Sequence, residues 1–119
     1  MELLISPDAE QIRILADSGL LKRALRNLIG NSIRHNPQGC MVRIRLSRSG
    51  SQVRWKISDT GRGIPETVVQ NMDTQTEKVH IMGLRLARQI TRAHGGDLVF
   101  CRRETGSYDV EMVLPDREN

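Results

Sequence analysis

The clearest signal in the order of apolar and polar residues is a helical period running from Gly19 to His35. On a wheel of about 100° per residue, Leu21, Ala24, Leu25, Leu28, Ser32 and, at the margin, Ile29 gather on one face. That face is expected to press on a sheet, while Lys22, Arg23 and Arg26 point away from it. Asp17 or Ser18 supplies an N-cap, and Asn36-Pro37 with Gly39 end the helix. Met41 to Arg48 and Gln52 to Asp59 then alternate apolar and polar residues around Ser49-Gly50-Ser51, which is a hairpin pattern. Pro65 opens a short helical turn, Glu66 to Asn71, and Met72 to His80 has no clear period. A second long helix is predicted from Met82 to His94, closed by Gly95-Gly96. Its buried side is read as Leu86, Ala87, Ile90 and Ala93, and its other side as Arg85, Arg88 and Arg92, a solvated or partner-facing surface. Two strands, Asp97 to Arg103 and Tyr108 to Leu114, flank a turn at Gly106, and Ile12 to Leu15 reads as a short strand ahead of the first helix. This order fits an α+β fold, a two-layer α/β sandwich with a mixed β-sheet covered on one face by helices.

Composition narrows the picture without changing it. A length of 119 residues suits a single domain, 1–119. Hydrophobic residues make up 38% but aromatics only 3%, so aliphatic packing has to build the core. There is no apolar run near the roughly 20 residues that span a bilayer, nor a secretory leader, so the chain as given is expected to be soluble. Lys and Arg outnumber Asp and Glu by 18 to 14, which suits an anionic partner. Arg43, Arg45, Arg48 and Arg54 lie on strands with no aromatic platform between them, so nucleic acid is not the expected partner. Cys40 and Cys101 form neither a metal-like spacing nor a disulfide framework, and they read as small buried thiols.

Three segments carry candidate chemistry. Asn27, Asn31, Arg34 and His35 follow i, i+4, i+7 and i+8, forming a polar stripe on one shoulder of the first helix. Asparagine is a poor helix former, and a half-buried row of amide, guanidinium and imidazole needs partners. Each unpaired group costs about 1–3 kcal/mol. A ligand with phosphates and a metal ion would supply those partners; an ordinary solvated helix edge is the alternative. The second segment is Asp59-Thr60-Gly61-Arg62-Gly63-Ile64-Pro65. Strand parity puts Asp59 on the face of Val53, Trp55 and Ile57, where a carboxylate is costly unless hydrogen-bonded. Gly61 and Gly63 clear space beside it for a flat ligand such as adenine. Third, Gly83 and Leu84 stand where loop is expected to become helix, and free amides there make a phosphate site.

Taken in order, these segments resemble the ATP-binding domain of bacterial sensor histidine kinases, in the superfamily shared with gyrase, heat-shock chaperone and mismatch-repair ATPases. Leu25 to Pro37 is similar to the family's asparagine box, Asp59 to Pro65 to its first glycine box, and Gly83-Leu84 with Ala93-His94-Gly95-Gly96 to its second. Val113-Leu114-Pro115 resembles the usual ending. The resemblance implies an ATP site of Asn27, Asn31, Arg34, His35, Asp59, Gly61, Gly63, Gly83 and Leu84. Asn31 would hold Mg2+ and Asp59 would read the adenine amino group, while His94 closes the helix structurally. The chain departs from the family in Ile81, where a glycine is usual, in Arg85, where a small residue is usual, and in a short lid without phenylalanine.

The phosphoacceptor histidine is not recognisable here, so the resemblance implies a piece of a longer sensor. The implied partners are ATP, a histidine-bearing dimerisation domain of the same protein, and a response regulator receiver domain. The implied setting is the cytoplasmic side of a membrane-anchored bacterial sensor, with the piece itself monomeric. The leading reading is a protein histidine kinase of a two-component system. The alternatives are a stand-alone ATPase, which in this superfamily carries a glutamate where Asn27 stands, and a binding module that has lost catalysis.

Overall fold

The computed structural model describes residues 2–5, 16–73 and 79–115. The strand expected at Ile12 to Leu15 lies outside them; the first described strand is β1 (Glu2–Ile5). After it come α1 (Ser18–His35), β2 (Met41–Ser49), β3 (Gln52–Asp59), α2 (Glu66–Gln70), α3 (Val79–Ala93), β4 (Asp97–Arg102) and β5 (Tyr108–Pro115). The strands form one sheet in the order β1-β2-β3-β5-β4, with β1 parallel to β2 and every other pair antiparallel. The sheet is therefore mixed, as expected, but its parallel strand is Glu2–Ile5, which the sequence reading did not find.

Aliphatic side chains from alternate strand positions build the core, as the scarcity of aromatics requires. Val42, Ile44, Ile57, Val110, Met112 and Leu114 rise from the sheet to meet Ala24 and Leu28 of α1 and Leu84, Ala87 and Ile90 of α3. The two helices also pack on one another. As a result α1 is buried over a wider arc than its contact with a sheet alone would require, and Asn31 joins Ala24, Leu28 and Ser32 among its buried residues.

Helix ends follow local chemistry. Asp17 is the N-cap of α1, its carboxylate accepting from the Leu20 amide at 2.9 Å. At the far end of α3 the Gly95 and Gly96 amides donate to the Arg92 and Thr91 carbonyls, both at 3.0 Å. Gly95 takes φ +85°, which closes the expected glycine stop as a Schellman motif. His94 joins the two helices. Its Nδ1 donates to the Ile90 carbonyl at 2.8 Å, and its Nε2 accepts from the Asp17 amide at 3.0 Å.

α3 differs from its sequence reading in two respects. It starts at Val79 rather than Met82, and its buried face runs through Leu84, Ala87, Ile90 and Thr91, leaving Ala93 exposed at the last helical position. The arginine side is not simply solvated either. Arg85 donates to the Met72 and Asn71 carbonyls, each at 2.9 Å, and Arg88 donates to the Met72 carbonyl at 3.0 Å and to Asp73 at 2.9 Å. Both cations thus bind the partly buried turn that follows α2, reaching carbonyls of Asn71 and Met72 that lie past the end of the helix. Of the three, Arg92 is exposed and pairs with Asp97 at 2.9 Å.

Candidate functional site

The polar stripe of α1 is graded in depth. Asn31 is only 1% exposed, Asn27 and His35 are half-buried, and Arg34 is exposed. The Asn31 Oδ1 and the Asn27 Nδ2 are buried without a hydrogen-bond partner. One is an acceptor and the other a donor, a helical turn apart on the same stripe. Each carries the roughly 1–3 kcal/mol cost of an unmet buried polar group, which a ligand offering both a cation and phosphate oxygens would remove. Gly83 looks across at this stripe from α3. A Cβ there would sit at ordinary contact distance, 3.5 Å from Arg34 Nη2 and 3.8 Å from Asn27 Oδ1, so this position lies directly against the stripe.

Gly83 lies inside α3 rather than at its first turn, so the helix takes up its amide in this conformation. The Leu84 side chain is fully buried in the core. Of these two positions, Gly83 borders the stripe and Leu84 packs in the core.

The second half of the site is the loop after β3. The Asp59 side chain is 5% exposed and faces the core side, as parity predicted. Its Oδ1 accepts from the Gly61 amide at 2.9 Å and from the Gly63 amide at 3.3 Å, and lies 3.4 Å from Arg103 Nη2. All of these interactions fall on Oδ1, which leaves Oδ2 as an acceptor for a donor from outside the described residues.

Asn36 ties this loop to α1. Its amide nitrogen donates to the Ser32 carbonyl at 2.8 Å, and its Oδ1 accepts from the Arg62 amide at 2.9 Å. Gly61 lies so close to the Asn36 amide that a Cβ would collide with it. Asn36 therefore links the asparagine stripe directly to the Asp59 loop. In the sequence Asn36 reads only as a helix stop, and its polar side chain ahead of a proline is the one available hint of more.

Arg103 has no such hint. Lying just past β4, it donates through Nε and Nη2 to Asp109 Oδ1 at 2.8 and 2.6 Å, through Nη2 to the Asp59 carbonyl at 2.9 Å, and through Nη1 to the Gly61 carbonyl at 2.9 Å. Burial works against its charge. The hydrogen bond and charge of Asp109, with Asp59 behind them, nevertheless hold the guanidinium above its ordinary pKa. Among the described residues there is no cluster of three or more His, Cys, Asp or Glu able to hold a metal. A metal here would rely on amide oxygens and on oxygens that the ligand brings.

A helix-covered mixed sheet, with an amide pair on one helix and a buried aspartate on a glycine turn, defines an ATP-binding domain of the sensor histidine kinase kind. The chain belongs to the histidine kinase-, DNA gyrase B- and HSP90-like ATPase family, whose model matches residues 16–118.

The adaptive-response sensory kinase SasA of Synechococcus sp. (strain JA-3-3Ab) is 31% identical over 117 residues, covering 82% of this chain and 31% of that protein. Sensor protein BasS of Escherichia coli (strain K12) is 30% identical over 112 residues, covering 88% of this chain and 30% of that protein. The chain thus spans less than a third of either relative. Among solved structures, the catalytic domain of histidine kinase ThkA superposes with a TM-score of 0.79 at 25% identity, covering 97% of this chain and 79% of that one. The ATP-binding domain of PrrB from Mycobacterium tuberculosis, at 23% identity and a TM-score of 0.75, shows the same fold.

Proposed function

We propose that this chain, as one unit, binds magnesium-ATP and presents the terminal phosphoryl group to a histidine on a separate dimerisation domain of a longer sensor. A response regulator receiver domain would be the next acceptor. The setting would be the cytoplasmic side of a membrane-anchored protein; no helix of the described residues is long and apolar enough to cross a membrane itself. The observation that carries the proposal is the orphaned pair on α1, Asn31 Oδ1 and Asn27 Nδ2. An amide oxygen is a hard ligand of the kind magnesium takes, and magnesium commonly completes its shell with water and phosphates rather than a full protein cage. Bound there, the ion would neutralise phosphate charge.

The roles of this chain's own residues follow from their chemistry. Asn27 Nδ2 would donate to a phosphate oxygen, with Arg34 and His35 farther along the stripe reaching phosphate and sugar. Asp59 Oδ2 would accept from the adenine amino group. Gly61 and Gly63 would serve it by holding Oδ1 through their amides, since the space their side chains would take is filled by Asn36 and by Arg103 with Ser107, not left for the ring as the sequence suggested. Gly83 would border the phosphates from α3, with Leu84 packed in the core behind it. In the transfer, the bond from the terminal phosphorus to its bridging oxygen breaks, ADP leaves with that electron pair, and a phosphorus–nitrogen bond forms on the acceptor histidine.

Asn27 also argues for a histidine acceptor over water. Hydrolysis needs a group that takes a proton from the attacking water, and an amide can orient a water without taking its proton. A site that saves its phosphoryl group gains by lacking that base. The test supplies the chain with labelled ATP, with and without the histidine-bearing hairpin of its full-length protein. Phosphohistidine without a matching rise in free phosphate is the expected result. Rapid hydrolysis by residues 1–119 alone, lost on Asn31→Ala, would replace the kinase reading with an ATPase.

A further inference from the structure

The Asp59 turn leans on a residue that neither α1 nor the glycine loop supplies. Arg103 places Nη2 on the Asp59 carbonyl and Nη1 on the Gly61 carbonyl, both at 2.9 Å, spanning the turn with one planar fork. The fork is itself seated, because Nε and Nη2 both reach Asp109 Oδ1, at 2.8 and 2.6 Å. Gly63 has φ +71°, and a Cβ there would lie 2.8 Å from Arg103 Cζ and 2.8 Å from Ser107 Oγ. The loop is therefore moulded around the guanidinium, which is held in place from the other side of the sheet's last hairpin.

The contacts also fix the carboxylate in one orientation. Arg103 Nη2 and the Gly61 and Gly63 amides all meet Asp59 on Oδ1, so rotation of the carboxylate would break several interactions at once. An acceptor held this firmly discriminates. A base that offers a donor is matched, and a base that offers a carbonyl meets an acceptor that cannot turn aside. If the turn were loose, the carboxylate could swing away and the penalty would fade.

We propose that Arg103, seated by Asp109, is the positioning residue that fixes the Asp59 carboxylate and so sets the preference for a purine with an exocyclic amino group over one with a carbonyl. The proposal rests on the reading of Asp59 as the base-reading group. It adds that discrimination depends on a side chain that makes none of the contacts to the base.

The measurement is the ratio of dissociation constants for inosine triphosphate and ATP, with magnesium, in the chain and its Arg103→Met, Arg103→Lys, Asp109→Asn and Asp59→Asn variants. Arg103→Met is expected to shrink the ratio about tenfold, on the scale set by misplacing a buried polar partner. Asp109→Asn should move it in the same direction by less, and Arg103→Lys should restore part of it. A merely structural role would weaken both nucleotides by one factor and leave the ratio unchanged. That outcome in Arg103→Met and Asp109→Asn would overturn the proposal. If Arg103→Met does not fold, Arg103→Lys and Asp109→Asn decide it on the same ratio. Asp59→Asn separates the two claims. If it erases the ratio while the Arg103 variants keep it, Asp59 reads the base and Arg103 does not position it. If Asp59→Asn keeps the ratio too, the reading of Asp59 itself is wrong.

Discussion

Replacing Asn31 by leucine should move stability and function in opposite directions. Asn31 is 1% exposed, packed on the same helix as Leu28 at 1% and Ser32 at 6%, and its Oδ1 has no partner. Leucine branches at the same carbon and fills a similar shape, so the swap exchanges an unmet acceptor for an apolar group. An unmet buried acceptor costs about 1–3 kcal/mol, and imperfect repacking takes back part of that gain. A net gain of about 1–2 kcal/mol in the nucleotide-free chain corresponds to a Tm higher by about 3–8 °C for a domain of this size. Nucleotide should reverse the order. At a hundredfold excess over Kd it stabilises the wild-type chain by about 2.7 kcal/mol, and it should stabilise Asn31→Leu by much less. The chain has a single tryptophan, and Trp55 packs against the core, so its fluorescence follows unfolding directly. Thermal melts of both proteins, with and without magnesium-ATP, give all four values. A lower Tm for the nucleotide-free variant, or a wild-type nucleotide shift in it, would refute the reasoning.

Three further expectations concern the parts around the site. Arg85→Ala removes charged donors from the Asn71 and Met72 carbonyls and should cost about 1.5–3 kcal/mol, with faster amide exchange at the end of α2; an unchanged exchange pattern there would contradict the tether. His94→Phe strips the Asp17 amide of its acceptor and should lower the urea midpoint by an amount equal to about 1 kcal/mol with the slope unchanged, whereas an unmoved midpoint would mean that the clasp carries nothing. Burial first, then the hydrogen bond to Glu111 and its charge, pushes the Cys101 thiol up. Its folded pKa lies above the unfolded one, so the stability it contributes is present below the ordinary thiol pKa of about 8.5 and is lost as pH rises past it. Cys101→Ala should therefore flatten the alkaline fall in stability, and parallel falls in both proteins would exclude this cause.

Much of this fold is legible in the sequence because its signals are local. Strand alternation alone places β3 at Gln52–Asp59 and turns the Asp59 carboxylate toward the core side. Capping chemistry marks both ends of α1 and the glycine stop of α3. The depth of Asn31 is not legible, because a wheel calibrated against the sheet cannot register that α3 covers the neighbouring shoulder of α1. Charge periodicity on α3 cannot tell an arginine in water from one bound to carbonyls, so Arg85 and Arg88 read as surface. Arg103 has a local partner in Asp109, six positions on, but its link to the site lies beyond local reasoning. Its partners Asp59 and Gly61 are 44 and 42 positions away, and nothing in its immediate sequence marks it.

The central claim is that one assembly joins an ion-holding amide on α1 to a base-reading carboxylate after β3. Calorimetric titration of the chain with ATP, run with and without magnesium and repeated on Asp59→Asn and Asn31→Ala, tests both halves together. The account requires saturable ATP binding that strengthens with magnesium, loss of most affinity in Asp59→Asn with cooperative unfolding intact, and loss of the magnesium effect in Asn31→Ala. Equal ATP binding by the chain and by Asp59→Asn, or binding indifferent to magnesium in the wild-type chain, would contradict it.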